Sequence, residues 1–294
     1  MQKERLPSYG GQALIEGVLM RGSHTLAAAM RKPDGEIVVQ KENLEGIYTS
    51  NIKRIPFLRG LIILWDALVL GTRYLTISAN LQSSEEEKIE GPALTITLII
   101  SLLIGVGLFF VAPAGIAHLS EKIIHWNSWW SNLFEGVIRL ILIIGYIYSV
   151  GKLPDVKRVF RYHCAEHKTI NAFEAGAELT PENVDEYSCV HTRCGTSFLL
   201  TLVILSIIVF SVIGELSIIW RLLTRILLLP LLAGIAYEYI RLTSNYINNN
   251  FVKILIKPNL ALQKLTTATP DLGMLEVSIT AFNAIIEAEN ESGA

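Results

Sequence analysis

The chain has 294 residues, of which 51% are hydrophobic, and its mean hydropathy of +0.43 is higher than soluble domains usually show. The formal net charge of −2 excludes the strongly basic balance of a nucleic-acid-binding protein, so no nucleic acid is expected as a partner. Three cysteines, an odd number, exclude a disulfide framework, and we expect thiols or metal ligands instead.

Residues 1–56 are predicted to form a small β-rich module in the cytoplasm. Four glycines interrupt an apolar run between residues 10 and 22, which is typical of turns or of close backbone approach. Farther along, the sequence Lys-Pro-Asp-Gly at 32–35 separates two stretches that read as strands. This turn sequence predicts a β-hairpin.

Residues 57–92 are predicted to form an amphipathic helix and an acidic linker. Arg59, Asp66 and Arg73 recur every seven residues in an otherwise apolar run, which places them on one face of a helix. A helix that spanned the membrane would bury Asp66 in the middle of the bilayer. We therefore expect this helix to lie at the membrane surface or to pack against the β-rich module.

Four apolar stretches are long enough to cross a bilayer, which takes about 20 apolar residues. They are residues 93–117, 133–150, 197–219 and 222–240. The first two form segment 93–150, and the last two form segment 197–240 as a hairpin that turns at Trp220 and Arg221. Between these segments lies a cytoplasmic segment, 151–196, and after them a cytoplasmic helical tail, 241–294. The predicted fold class is an α-helical polytopic membrane protein with about four transmembrane helices and a small cytoplasmic β-rich, α+β module.

The distribution of Lys and Arg predicts the orientation of these spans. Residues 151–196 carry six basic side chains, whereas the opposite loop, 118–132, carries only Lys122. The N-terminal region and the C-terminal tail are also rich in basic residues. We therefore expect a multi-pass protein of a lipid bilayer with both termini in the cytoplasm.

The segment 151–196 carries the residues with the clearest chemistry. Residues four apart share one face of a helix, so the imidazoles of His163 and His167 can reach one cation. The order His-x-x-Glu-His matches the inverted zinc-protease pattern, in which the glutamate, here Glu166, is the general base. The alternative interpretation is two core histidines that happen to be four residues apart.

His191 and Cys194 follow in a loop just before the third span and can complete the metal site. A catalytic zinc uses three protein ligands and leaves one position open, whereas a structural zinc takes four. The expected cofactor is a divalent metal, with zinc first and with iron or manganese also compatible. Two further carboxylates, Glu16 and Glu174, are weaker candidates: the first as an alternative ligand, the second as a supporting group.

Arg193 stands beside Gly195, Thr196 and Ser197 at the predicted start of the third span. Free backbone N–H groups, a helix dipole and a guanidinium together can hold a phosphate or a carboxylate. The alternative interpretation is a plain helix cap. Cys164 and Cys189 form no C-x-x-C pair, so we expect them to be packing residues.

Charged residues also occur in or beside the predicted spans, and ion pairing or snorkelling explains them. They are Glu135, Arg139, Glu215, Arg221 and Arg225. A transporter would show polar or broken helices near the middle of the bilayer, and few such signals are present.

Three motifs resemble the YqhQ-like family of bacterial membrane proteins. They are residues 10–22, residues 162–168 (Tyr-His-Cys-Ala-Glu-His-Lys) and residues 191–198 (His-Thr-Arg-Cys-Gly-Thr-Ser-Phe). The resemblance covers nearly the whole chain, and it implies a location in the bacterial inner membrane and a metal-dependent activity. It implies no particular reaction and carries over no catalytic residues.

The sequence thus predicts a metal-dependent membrane hydrolase at the cytoplasmic membrane surface. Water activated by the metal would attack an anionic, lipid-linked, phosphorylated or peptide substrate. The predicted catalytic residues are Glu166 and Arg193, and the predicted ligands are His163, His167, His191 and Cys194. Two alternatives stay open, a membrane scaffold with a structural metal and a small-solute transporter.

Overall fold

The fold begins with an antiparallel sheet of four strands in the order β1-β2-β3-β4. A computed structural model describes residues 9–48, 55–84, 88, 91–214 and 216–291. The strands are β1 (Gly10–Leu14), β2 (Gly17–Arg21), β3 (Thr25–Arg31) and β4 (Ile37–Asn43). The predicted hairpin turn joins β3 to β4. The backbone N–H of Gly35 donates to the carbonyl oxygen of Lys32 at 3.0 Å, and the positive φ of Gly35 (92°) is one that glycine adopts easily.

Helices make up most of the remaining described chain. In chain order they are a 3₁₀ turn (Gly46–Tyr48), α1 (Leu58–Gln82), α2 (Gly91–Val106), a π segment (Gly107–Val111), α3 (Ala112–Ile124), α4 (Ser128–Val150), α5 (Pro154–Glu174), α6 (Pro181–Asp185), α7 (Gly195–Ser211), α8 (Ile218–Leu227), α9 (Leu229–Asn245), α10 (Asn250–Gln263) and α11 (Leu272–Glu291). The protein is therefore mostly helical with one small sheet, as predicted. The acidic run at 85–87 lies outside the described residues.

Helices cover both faces of the sheet. Successive strand residues point to opposite faces, and the alternate residues of β2 and β3 accordingly enter two separate cores. Val18 and Ala29 pack with α5 and α11, whereas Leu19 and Ala28 pack with α1. The predicted module of residues 1–56 is thus completed by helices from three other predicted segments. The prediction that the last helix covers the sheet is confirmed.

Helix α1 packs against the sheet, which is one of the two positions expected for it. Asp66 pairs with Arg21 of β2, and the hydroxyl of Tyr74 donates to Glu42 of β4 at 3.0 Å. Near the start of the same helix, Arg59 Nε donates to Glu238 of α9 at 2.6 Å. The helix therefore connects the sheet to the apolar helices.

Several helices are apolar enough to cross a membrane. Judged by length and composition over the described residues, three helical runs qualify: 58–82, 91–124 and 128–150. The first of these is not among the predicted spans, because it was expected to lie outside the bilayer. Helices α8 and α9 make a fourth if the pair, bent by 42°, is counted as one span.

The predicted hairpin of the last two spans differs from the structure. Helix α7 ends at Ser211, and its 17 residues are fewer than the predicted stretch. Trp220 and Arg221 lie inside α8, and the helical interruption between α8 and α9 falls at Leu228. Pro230 explains the break, because proline lacks the N–H that a continuous helix requires and fits only in its first turn.

Candidate metal centre

Helix α5 positions two histidines on one face. It begins at Pro154, where the missing N–H of proline costs no hydrogen bond, and ends at Glu174, two residues before Gly176 with its positive φ of 74°. The predicted helix is confirmed over these bounds. The rings of His163 and His167 lie with their centroids 4.4 Å apart.

Cys194 joins the two histidines. It is the N-cap residue of α7, and its Sγ lies 3.2 Å from Nε2 of His163. One ligand atom from each of His163, His167 and Cys194 lies within 4.8 Å of the other two. Zinc bond lengths of about 2.0–2.3 Å place tetrahedral ligand atoms roughly 3.3–3.7 Å apart. The three side chains could therefore hold such an ion with a small inward movement.

Hydrogen bonds hold both imidazoles in the form that binds metals. Nδ1 of His163 lies 2.9 Å from the carbonyl oxygen of Thr266, and Nδ1 of His167 lies 2.6 Å from that of Cys189. A carbonyl oxygen only accepts, so each Nδ1 carries the proton. In a neutral ring this leaves the Nε2 lone pair free for a metal. The donor set thus fits a divalent ion.

His191 is held away from this group. Its ring centroid lies 5.9 Å from that of His167, and its Nε2 lies 3.5 Å from a carboxylate oxygen of Glu174. Gln263 of α10 fixes the backbone of His191: it accepts from the N–H at 2.9 Å and donates to the carbonyl at 2.8 Å. The structure therefore does not bring this predicted ligand to His163, His167 and Cys194, which are called the trio below. Nothing in the sequence pattern singles out Gln263.

Arg193 forms an ion pair within the chain. Its guanidinium contacts the carboxylate of Glu174, which also faces His191. Burial raises the pKa of Glu174, but the hydrogen bond from His191 and the charge of Arg193 outweigh it and lower the pKa below its ordinary value. The predicted anion-binding guanidinium is thus occupied by a protein carboxylate.

Glu166 faces the sheet and is buried. Burial raises the pKa of Glu166 to about 7, against the opposing effects of the His163 charge and a hydrogen bond from the backbone N–H of Gly11. Its Oε2 has no partner among the described residues. A Cβ on residue 11 would lie 2.9 Å from the side chain of Glu166, so β1 requires glycine here.

Glu16 lies in a different cluster. Its carboxylate pairs with Arg158 and accepts from the hydroxyl of Tyr162 at 3.2 Å. The structure does not place this alternative ligand with His163, His167 and Cys194.

Cys164 and Cys189 form a disulfide bond, contrary to the prediction that both are packing thiols. The bond links α5 to the loop after α6 across 25 residues, with the Cα atoms 4.6 Å apart. Asn171 holds the same loop by donating to the carbonyl oxygens of Ser188 at 2.8 Å and Val190 at 3.1 Å. The odd number of cysteines led to the wrong prediction because two of the three pair with each other and the third, Cys194, stays free.

Comparison with known proteins identifies the family. Residues 55–288 match the family model DUF1385, described as a protein of unknown function. The chain belongs to the DUF1385 family. An uncharacterised protein named YqhQ from Bacillus subtilis (strain 168) is 35% identical to this DUF1385 chain over 308 aligned positions, which cover 98% of this chain and 96% of the relative. The resemblance drawn from the three motifs is therefore confirmed. No solved structure matches this DUF1385 chain.

Proposed function

We propose that this DUF1385 protein is a metal-dependent hydrolase of the bacterial inner membrane, acting at the cytoplasmic membrane surface on an anionic, lipid-linked or peptide substrate. The observation that carries the proposal is the convergence of His163, His167 and Cys194 within 4.8 Å. Three protein ligands leave one position of a tetrahedral ion open, as catalytic zinc sites do.

The membrane location rests on composition and charge. The apolar runs have the length of membrane spans, and the segment with the trio is the one richest in Lys and Arg between them. Cys194 caps the N-terminus of the apolar helix α7. This position at the start of an apolar helix supports the proposal that the trio acts on a lipid-linked substrate at the cytoplasmic surface.

The residues around the trio have separate roles in this proposal. A divalent ion would act as a Lewis acid and activate water for hydrolysis. Thr266 and the backbone of Cys189 keep the two imidazoles oriented. Glu166, one residue before a ligand, is the candidate proton acceptor. Arg193 would turn from Glu174 to an anionic substrate group.

Elemental analysis of the purified protein tests the metal. We expect about one zinc, iron or manganese per chain in the wild type and almost none in His163→Ala. His118→Ala is the matched control, because His118 lies in α3 outside the described trio. Wild-type protein that carries no metal after purification without chelators would overturn the proposal.

A Glu166→Gln variant separates an enzyme from a scaffold with a structural metal, the alternative that the burial of His167 and Cys194 favours. The amide keeps the shape of the carboxylate but cannot accept a proton at neutral pH. An enzyme variant should keep its metal and lose its cellular role. A Glu166→Gln variant that keeps both its metal and its cellular role would favour the scaffold.

A further inference from the structure

Four charged side chains lie buried among the apolar helices. Glu135 and Arg139 of α4 are 1% and 3% exposed, and Arg221 and Arg225 of α8 are each 1% exposed. Snorkelling to the membrane surface, one of the two explanations considered from the sequence, therefore does not apply to them. Intramembrane charges of this kind are costly, and they usually mark a functional site.

Together with Glu121, these four residues form two separate ionic groups that differ in net charge. Arg221 pairs with Glu121 of α3 at 2.9 Å, so that pair is neutral. Arg139 and Arg225 both pair with Glu135, at 2.7 Å and 3.0 Å. Within the described part of the chain, these two arginines have no second carboxylate partner. The described members of this group, one carboxylate and two guanidinium groups, therefore sum to one positive charge.

The other contacts of the two arginines add no negative charge. Asn132 accepts from Nη2 of Arg225 at 2.8 Å, and the carbonyl oxygen of Phe109 accepts from Nε of Arg139 at 2.9 Å. Phe109 belongs to the π segment, a helix distortion often found at functional sites. The ring of Phe210 lies 4.3 Å from the Arg225 guanidinium.

One guanidinium nitrogen is left without an acceptor. Nη1 of Arg225 is buried and makes no hydrogen bond to any described residue. A buried donor without an acceptor and a buried charge without a counter-charge are both strongly unfavourable. A water molecule would accept the hydrogen bond from the donor but would leave the charge unbalanced. A single anion satisfies both.

We propose that this protein binds one compact monovalent anion, a halide or a carboxylate group, against Nη1 of Arg225 between α4, α8 and the π segment. The anion neutralises the group around Glu135 and lets α8 pack against α4. This site is distinct from the His163, His167 and Cys194 trio.

Thermal unfolding of the purified full-length protein tests the site. The reference buffer contains as its only anion gluconate, which is much larger than chloride or formate, and chloride or formate is titrated in at constant ionic strength. We expect a saturable rise in the unfolding midpoint of about 5 °C at a concentration about 100 times the dissociation constant. The readout requires no metal, so its failure would leave the proposed hydrolase untouched.

Two variants of the anion site remove the need for the anion. Arg225→Gln leaves Glu135 and Arg139 as a neutral pair, and Asn132→Asp supplies a carboxylate beside Arg225. Both should lose the response to chloride and formate, and Asn132→Asp carries the test if Arg225→Gln does not fold. Arg221→Gln, which alters the neutral pair with Glu121, should keep the response.

A wild-type midpoint that does not change with chloride or formate would overturn the proposal. If Glu215→Gln then responds to these anions, the counter-charge is Glu215, which lies outside the described residues, and the wild type binds no external anion.

Discussion

Nε2 of His163 lies 3.2 Å from Sγ of Cys194, although 31 residues separate them in the chain. A helix and a helix cap thus bring an imidazole and a thiol together at the start of an apolar helix. An imidazole and a thiolate at this distance can bind the same ion.

Replacement of Cys194 by serine should weaken metal binding by roughly 100-fold or more, since a hydroxyl is a far poorer zinc ligand than a thiolate. Titration with a competing chromophoric chelator measures the change. Thr192→Ser is the matched control in the same loop, because Thr192 contacts Ser244 rather than the trio. Equal affinity in Cys194→Ser and the wild type would remove Cys194 from the site.

Reduction of the disulfide should lower the stability of the protein. The bond closes a loop of 25 residues, and a loop of this length corresponds to about 3 kcal/mol of unfolding free energy. Thermal unfolding with and without a reducing agent measures the loss, and Cys164→Ser with Cys189→Ser should reproduce it. The double variant should then be insensitive to the reductant. Mass spectrometry that finds three free thiols in unreduced protein would contradict the structure.

Substitution of Gly11 by alanine should destabilise the protein by about 1–3 kcal/mol, the usual cost of forcing atoms into packed space. The added Cβ would lie 2.7 Å from the carbonyl oxygen of Leu19 and 2.9 Å from Glu166. Gly10→Ala is the matched control, because its Cβ would meet nothing within 4 Å. Denaturant unfolding compares the two, and equal stability would show that Glu166 does not pack on β1.

Glu289 of α11 should stabilise the turn between β2 and β3. One of its carboxylate oxygens accepts from the backbone N–H groups of His24 and Thr25, both at 2.7 Å, and from the Thr25 hydroxyl at 2.8 Å. We expect Glu289→Gln to cost about 1–3 kcal/mol at pH 7, since it weakens charge-assisted hydrogen bonds in a buried place. Glu287→Gln is the control, because its exposed pair with Lys41 contributes little.

The contribution of Glu289 should disappear in acid. Burial raises the pKa of Glu289, but the hydrogen bonds from His24 and Thr25 outweigh it and lower the pKa below its ordinary value. A carboxylate whose pKa is lowered by folding contributes its full stabilisation of the folded state above its unfolded-state pKa of about 4.3. This contribution is lost as the pH falls through its folded-state pKa. The difference in midpoint between wild type and Glu289→Gln should therefore shrink below about pH 4.3. A constant difference would contradict the assignment.

Local patterns were sufficient for much of the fold. The turn at 32–35, the helix from Pro154 and the apolar stripe of α11 all follow from features within a few residues of one another, such as proline at a helix start and apolar residues at helical spacing. The end of α7 did not follow, because an apolar stretch that continues past Ser211 reads as one helix. The three charges at seven-residue spacing in α1 predicted a position either at the membrane surface or against the β-rich module, and the structure shows the packing on the sheet.

The sequence by itself determined that His163 and His167 share a helix face, because positions four apart always do so. Only the tertiary structure decided their neighbours. Cys194 joins them and His191 turns to Glu174, because α10 places Gln263 against the loop. Cys164 bonds to Cys189 for a related reason, since the chain after α6 returns across α5. Such pairings depend on contacts between residues distant in the chain, and no local periodicity records them.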